Sequence, residues 1–236
     1  MPINDECDLV IQDLFFYDFR SAYQRIMSSI DWDFSEVDID NKEERNIRIG
    51  TDQRGNENLS SFLIDTVTSI LDWYLIQNGL DKSNVIISQR DGFILNTKLF
   101  KTDGFMNLDF RGIVQLLIIS PDRKKYLAVM DDRVDVKGIS NRYSKLDKVY
   151  DRFRFLNLYD RSVLFSQLQV IKNLIMDETD KEFFLIPHGE DVAIQSFSGP
   201  VIVSGPESFV IDDVKKELYF KHYVKEFIDA IFLHFY

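Results

Sequence analysis

The run LVIQDLFFYD at residues 9–18 is almost entirely apolar and aromatic until it stops at Asp18, the pattern of a buried strand ending on an acid. Residues 21–29 then read as a short helix. Residues 31–58 are polar and acid-rich and, apart from Ile47 and Ile49, lack long apolar periodicity. We expect a loop, a short strand or a surface needing a partner there, and a connector that is mobile or ordered by another protein. From Leu59 the spacing turns helical. Leu59, Phe62, Leu63, Val67, Ile70, Leu71 and Tyr74 recur three and four apart, Asn58 or Ser60 supplies the N-cap, and Asn78-Gly79 closes the run.

After that helix the period shortens. VIIS (85–88) and FILN (93–96) flank the tight turn QRDG (89–92) and predict a hairpin. Further strands are expected at 105–110, 113–119 and 125–130, with a turn at SPDR (120–123). Residues 141–176 read as helical, with Leu164, Leu168, Ile171 and Ile175 on one face. The tail predicts short strands, turns at 199–200 and 205–206, and a helix over 219–235.

Composition narrows the class. With 45% hydrophobic residues, 20 Phe and 10 Tyr in 236 positions, the chain can bury a full core and is not a disordered sequence. No stretch approaches the roughly 20 uncharged apolar residues of a membrane span, and Asp5, Glu6 and Asp8 spoil a signal-peptide start, so no membrane is expected. The single Cys7 points to a reducing cytoplasm, the host's if the protein is viral. Three histidines and one cysteine cannot build an ordinary zinc site, so any metal would be carboxylate-held Mg²⁺ or Mn²⁺.

The net charge of −11 argues against nucleic acid until its distribution is seen. Residues 111–172 hold 13 Lys/Arg against 7 Asp/Glu, whereas residues 1–110 hold 10 against 20 and residues 173–236 hold 5 against 12. A basic middle lies between acidic flanks.

Candidate chemistry centres on Asp18, between a strand and a helix, and Asp91, in a hairpin turn. Singly, such residues are ordinarily a cap and a turn former. Together on a rigid sheet, two carboxylates can share divalent cations of the kind phosphoryl transfer uses.

Their contexts resemble a known family. Y-D-F-R-S-A-Y (17–23) is similar to motif A of family B DNA polymerases, D-x-x-S-L-Y-P, and I-S-Q-R-D-G-F-I (87–94) is similar to motif C, Y-x-D-T-D-S. K-K-Y (124–126) with V-D-V-K-G-I (134–139) resembles the family's lysine–tyrosine element, and the run at 217–228 resembles the end of its thumb. The resemblance implies an α+β fold: a polymerase-palm-like antiparallel sheet with packed helices over 1–138, then a smaller, mostly helical thumb-like region over 139–236. It implies Asp18 and Asp91 as catalytic metal ligands for Mg²⁺ or Mn²⁺, and Ser21 and Tyr23 at the nucleotide. It also implies Lys124, Lys125, Tyr126 and Lys137 on primer–template DNA.

The departures are equally specific. Gln89 stands where motif C has its first Asp, Arg90 and Gly92 replace Thr and Ser, and Ala22 and Gln24 replace Leu and Pro. Only 72 residues separate Asp18 from Asp91, and nothing there matches the fingers motif K-x-x-x-N-S-x-Y-G. Arg45, Arg48 and Arg54 are the basic residues that could take its place at a triphosphate. The leading expectation is a palm-and-thumb subunit of a split DNA polymerase, a nucleotidyltransferase in phage replication by analogy. Its partner would be a second chain carrying fingers and exonuclease. The alternatives are a compact primase-like enzyme, a catalytically degenerate palm kept as a binding or scaffold subunit, and an unrelated α+β domain.

Overall fold

A computed structural model describes residues 7–35, 37–38, 40–89, 91–104, 106–138, 146–177, 185–188, 191–196, 199–203 and 213–235. The fold is α+β, and the chain divides into two compact units, Asp13–Ile113 and Met1–Gln12 with Val114–Tyr236. These differ from the segments 1–138 and 139–236 that the resemblance implies. The dividing point falls inside a strand.

In the unit Asp13–Ile113, β2 (Leu14–Phe19), α1 (Ala22–Ser29), α2 (Lys42–Gly55) and α3 (Glu57–Gln77) precede the hairpin β3 (Val85–Gln89) and β4 (Gly92–Leu95). The hydrogen-bonded order is β3-β4-β2-β5, where β5 is Leu108–Ile119 and only its residues up to Ile113 belong to this unit. Strand alternation divides β2 cleanly. Tyr17 and Phe19 join the core with Ile26, Met27, Leu63, Leu71, Tyr74 and Phe93, while Leu14, Phe16 and Asp18 take the other face. Burying each large apolar side chain contributes about 1.5–3 kcal/mol.

Two features tie α3 to that core. The Tyr74 hydroxyl donates to the carbonyls of Thr102 and Met106. At the helix end Gly79 adopts φ +68, as the Asn-Gly pair predicts, and the Asn78 side chain accepts from Phe100 and Lys101 amides at 2.8 Å each. By length and composition α3 is apolar enough to cross a membrane, although Asp65 and Asp72 interrupt it. Core helices pass the same test, and its inner stripe, Leu63, Val67, Leu71 and Leu75, packs in the core.

The other unit holds β1 (Asp8–Val10), the rest of β5, β6 (Tyr126–Met130), β7 (Val134–Lys137), α4 (Asp147–Asp151), α5 (Arg161–Met176), a three-stranded sheet of β8 (Leu185–His188), β9 (Asp191–Ser196) and β10 (Gly199–Val203), then α6 (Asp213–Tyr223) and α7 (Lys225–Phe235). These strands pair antiparallel: β1 and β6 flank β5, β7 extends β6, and β9 lies between β8 and β10. Leu116, Ile118, Leu127 and Val129 meet Leu164, Leu168, Ile171 and Ile175 of α5, and Phe227, Ile228 and Ile231 of α7, in one core. Lys216 is almost fully buried, yet it is satisfied: its Nζ donates to the Met176 carbonyl at 3.0 Å. A cation there meets the negative end of α5.

Several expectations are corrected. Residues 42–55 are a 14-residue helix rather than a loop. It shows little apolar periodicity because Ile49 is its one buried residue, and local capping sets its start. Asn41 accepts from Glu43 and Glu44 amides while donating to the Glu44 carboxylate at 3.0 Å. The long helix begins at Glu57 on an Asn56 cap. The expected strand 9–18 is two strands, and the strands at 105–110 and 113–119 merge into β5. The helix expected over 141–176 is interrupted at 156–160, where Asp160 caps α5 through the Ser162 and Val163 amides. The turn at 205–206 and residues 141–145 lie outside the described residues.

Cys7 is half-buried against the α5–α7 core, and burial together with the Glu226 carboxylate pushes its thiol up to about 11. The thiol form is favoured in the folded state, so its contribution to stability is complete below the free-cysteine value and is lost as pH rises through 11. At pH 8, alkylation of native Cys7 should be about a hundredfold slower than that of free cysteine. Mass-spectrometric labelling at free-cysteine rates would contradict this placement.

Candidate functional site

The strand β2 ends where the backbone turns sharply. Ser21 takes φ 53, ψ 44, a left-handed conformation that costs a non-glycine residue about 1–2 kcal/mol. The Arg20 amide donates to the Asn107 carbonyl and the Phe19 amide to the Asp91 carbonyl at 2.9 Å, so the turn is fixed from both sides. Asp18 pairs in register with Gly92, which puts the backbones of Asp18 and Asp91 side by side. The sequence expectation of adjacency is therefore met at the level of the main chain.

The side chains follow two paths. Asp91 lines a cavity of about 240 Å³ with Ser21, Tyr23, Gln24, Arg45 and Gln53. Arg45, Ile49 and Gln53 are spaced by four, so one face of α2 forms its far wall. Three of the expected nucleotide-binding residues, Ser21, Tyr23 and Arg45, thus converge beside Asp91. Arg48 and Arg54 do not. Arg48 pairs with Asp52 at 2.9 Å, and Arg54 donates back to the Gly50 carbonyl of its own helix.

Asp18 is not among that cavity's lining residues. Arg111 donates through Nε and Nη2 to its Oδ2, at 3.2 and 2.5 Å. One step along the strands, Arg20 grips Asp109 through two bonds of 3.1 and 2.8 Å. That bidentate contact holds the Asp109 carboxyl below the usual range. Sequence reasoning missed both Arg111 and Asp109, and a signal was present. The tripeptide Asp-Phe-Arg occurs twice, at 18–20 and 109–111, and two antiparallel copies match each acid with the other's arginine.

This donor set does not fit a two-metal centre. A guanidinium occupies Asp18, Gln89 contributes only an amide, and among the described residues no group of three or more His, Cys, Asp or Glu is placed to hold a metal. Arg90 lies outside the described residues.

The expected DNA strip is interleaved with acids. Lys125 meets Glu226 at 3.2 Å, Lys137 lies 3.9 Å from Asp135, and Tyr126 is buried with its hydroxyl on Asp135 at 2.9 Å. Lys124 is exposed in the turn, where the Asp122 carboxylate accepts from its amide. The excess of Lys and Arg over 111–172 is partly neutralised by folding, since Arg111, Arg123, Lys125, Arg133, Lys137 and Arg154 all have carboxylate partners. Ile139, the end of the lysine-bearing element, lies outside the described residues.

No family model matches the chain, and no curated protein matches it. Among solved structures it is similar to the family B DNA polymerase from the hyperthermophilic archaeon Pyrobaculum calidifontis, with a TM-score of 0.38 and 12% identity. The alignment covers 77% of this chain and 35% of that one, so the chain spans about a third of the polymerase's length.

Proposed function

We propose that this chain is a palm-like subunit of a DNA-replication assembly in which the two-carboxylate centre serves binding rather than metal-dependent catalysis. The single observation behind this reading is the Asp18–Arg111 contact at 2.5 Å. An internal cation sits on the carboxylate that motif A reserves for a metal. The neutral Gln89, where motif C has its first Asp, points the same way, and the motif resemblances support the palm-like part of the reading. Any fingers or exonuclease function would come from a partner chain, which this subunit positions.

A second reading keeps catalysis, as the palm-and-thumb part of a split polymerase. It is favoured by the convergence of Ser21, Tyr23 and Arg45 with Asp91 on one cavity.

Mn²⁺ titration by calorimetry separates the two. The wild-type chain should show no Mn²⁺ affinity that depends on Asp91. Arg111→Met should release Asp18 and raise Mn²⁺ affinity by about tenfold or more, an increase that Asp18→Asn in the same background removes. Wild-type binding that Asp91→Ala abolishes, together with primer extension by the wild-type chain and a co-purified partner, would overturn the binding reading in favour of the catalytic one.

A further inference from the structure

In the unit that contains Val114–Tyr236, the segment leading into α5 displays aromatic and basic side chains on a fixed loop. Tyr159 is 100% exposed and Phe155 is 59% exposed, an unusual display for two aromatic residues four positions apart. The loop that carries them is held by side-chain bonds. Gln167 of α5 accepts from the Asn157 amide at 2.7 Å and donates to the Phe155 carbonyl at 2.6 Å. The Asn157 side-chain oxygen then accepts from the Tyr159 and Asp160 amides at 3.0 and 3.1 Å. Both rings are thus presented by an ordered backbone, which lowers the entropy lost on binding.

Phe155 also lines a groove of about 330 Å³, together with Arg152, Val163, Gln167 and Val170. Its surroundings are basic in effect. Arg154 lies 5.4 Å over the Phe155 ring, and neither Arg152 nor Arg161 is paired with a carboxylate among the described residues. The nearby acids are engaged: Asp151 by Arg154 at 2.9 Å, and Asp160 by the helix amides it caps. In a chain of net charge −11, this display falls inside the basic stretch 111–172.

We infer that this groove and its loop bind single-stranded nucleic acid, with bases stacking on Tyr159 and Phe155 and phosphates meeting Arg152 and Arg161. Stacking platforms interleaved with arginines are what unpaired strands require, and every base offers a π-face, so the contact needs no sequence preference. A duplex keeps its bases stacked inside and cannot use the exposed ring.

Fluorescence anisotropy with the full chain tests this, using labelled oligothymidylate and oligouridylate of about 15 nucleotides, a duplex of equal length, and a poly-glutamate peptide. Both single strands should bind at low salt, and the thymidylate-to-uridylate ratio tells DNA from RNA as the preferred strand. Tyr159→Ala, a fully exposed position that folding does not depend on, should weaken binding about tenfold. Arg152→Gln should reduce the salt slope by about 0.7. The inference is overturned by an absence of single-strand binding at low salt, by affinities that neither variant changes, or by a duplex that binds equally well. Poly-glutamate binding as tight as that of the oligonucleotides, lost in the same variants, would reassign the groove to an acidic protein partner.

Discussion

Gly138→Ala is expected to destabilise the protein by about 3–5 kcal/mol, combining a strained backbone with a steric overlap. Gly138 follows β7 with φ +77, a conformation that costs a residue with a Cβ about 1–2 kcal/mol. The added Cβ would lie 2.0 Å from the Lys124 carbonyl oxygen and 2.9 Å from the Lys125 Cα. Both are backbone atoms in the turn before β6, so no side chain can rotate away. Relief requires β7 to separate from β6, where Tyr126 faces Lys137 in register. The effect would fall on Lys124, Lys125, Tyr126 and Lys137 together. Gly50 gives the opposite sign: it lies within α2 with nothing within 4 Å of its would-be Cβ. Alanine there should add up to about 1 kcal/mol. Denaturant midpoints for the two variants check both directions. A Gly138→Ala protein within 1 kcal/mol of wild type would mean that the β6–β7 hairpin is not packed as described.

Phe93→Ala should cost about 3–5 kcal/mol and loosen the candidate site from behind. Phe93 is buried on β4, two residues after Asp91, with its ring centroid 5.8 Å from Tyr17 and 5.4 Å from Phe19. It therefore props β2 on the face opposite Asp18, at the point where the Phe19 amide donates to the Asp91 carbonyl. A cavity there removes aromatic contacts that contribute about 0.5–1.5 kcal/mol each beyond burial. Phe93→Leu keeps much of the volume and should lose markedly less. Amide exchange at Phe19 should accelerate in Phe93→Ala. Protection at Phe19 unchanged from wild type, despite the stability loss, would show that the hairpin turn does not depend on this cluster.

Much of the fold was legible because it rests on period and punctuation. The hairpin at 85–96 was readable from two β-prone runs around a short turn, and the end of α3 from Asn78-Gly79. The buried stripe of α5, Leu164, Leu168, Ile171 and Ile175, was readable from its spacing. Helix α2 was not, because one buried isoleucine leaves no stripe and its cues are the cap at Asn41 and the acids at Glu43 and Glu44. Residues 9–18 and 105–119 were misdivided for a related reason. Apolar content does not say where hydrogen bonding stops, and β5 continues through Gly112 at φ 143.

By itself the sequence determined that Asp18 lies near the end of a strand, that Asp91 sits in a hairpin turn and that residues 120–123 form a second turn, because these depend on local pattern. The tertiary structure alone decided what those groups do with their charge. Asp18 and Arg111 are 93 positions apart, and only the pairing of β2 with β5 makes them neighbours. Lys125 and Glu226 are 101 apart, and the placement of α7 brings them together. A carboxylate's role is set by what lies within about 3–4 Å of it, and that shell is assembled by long-range strand and helix packing.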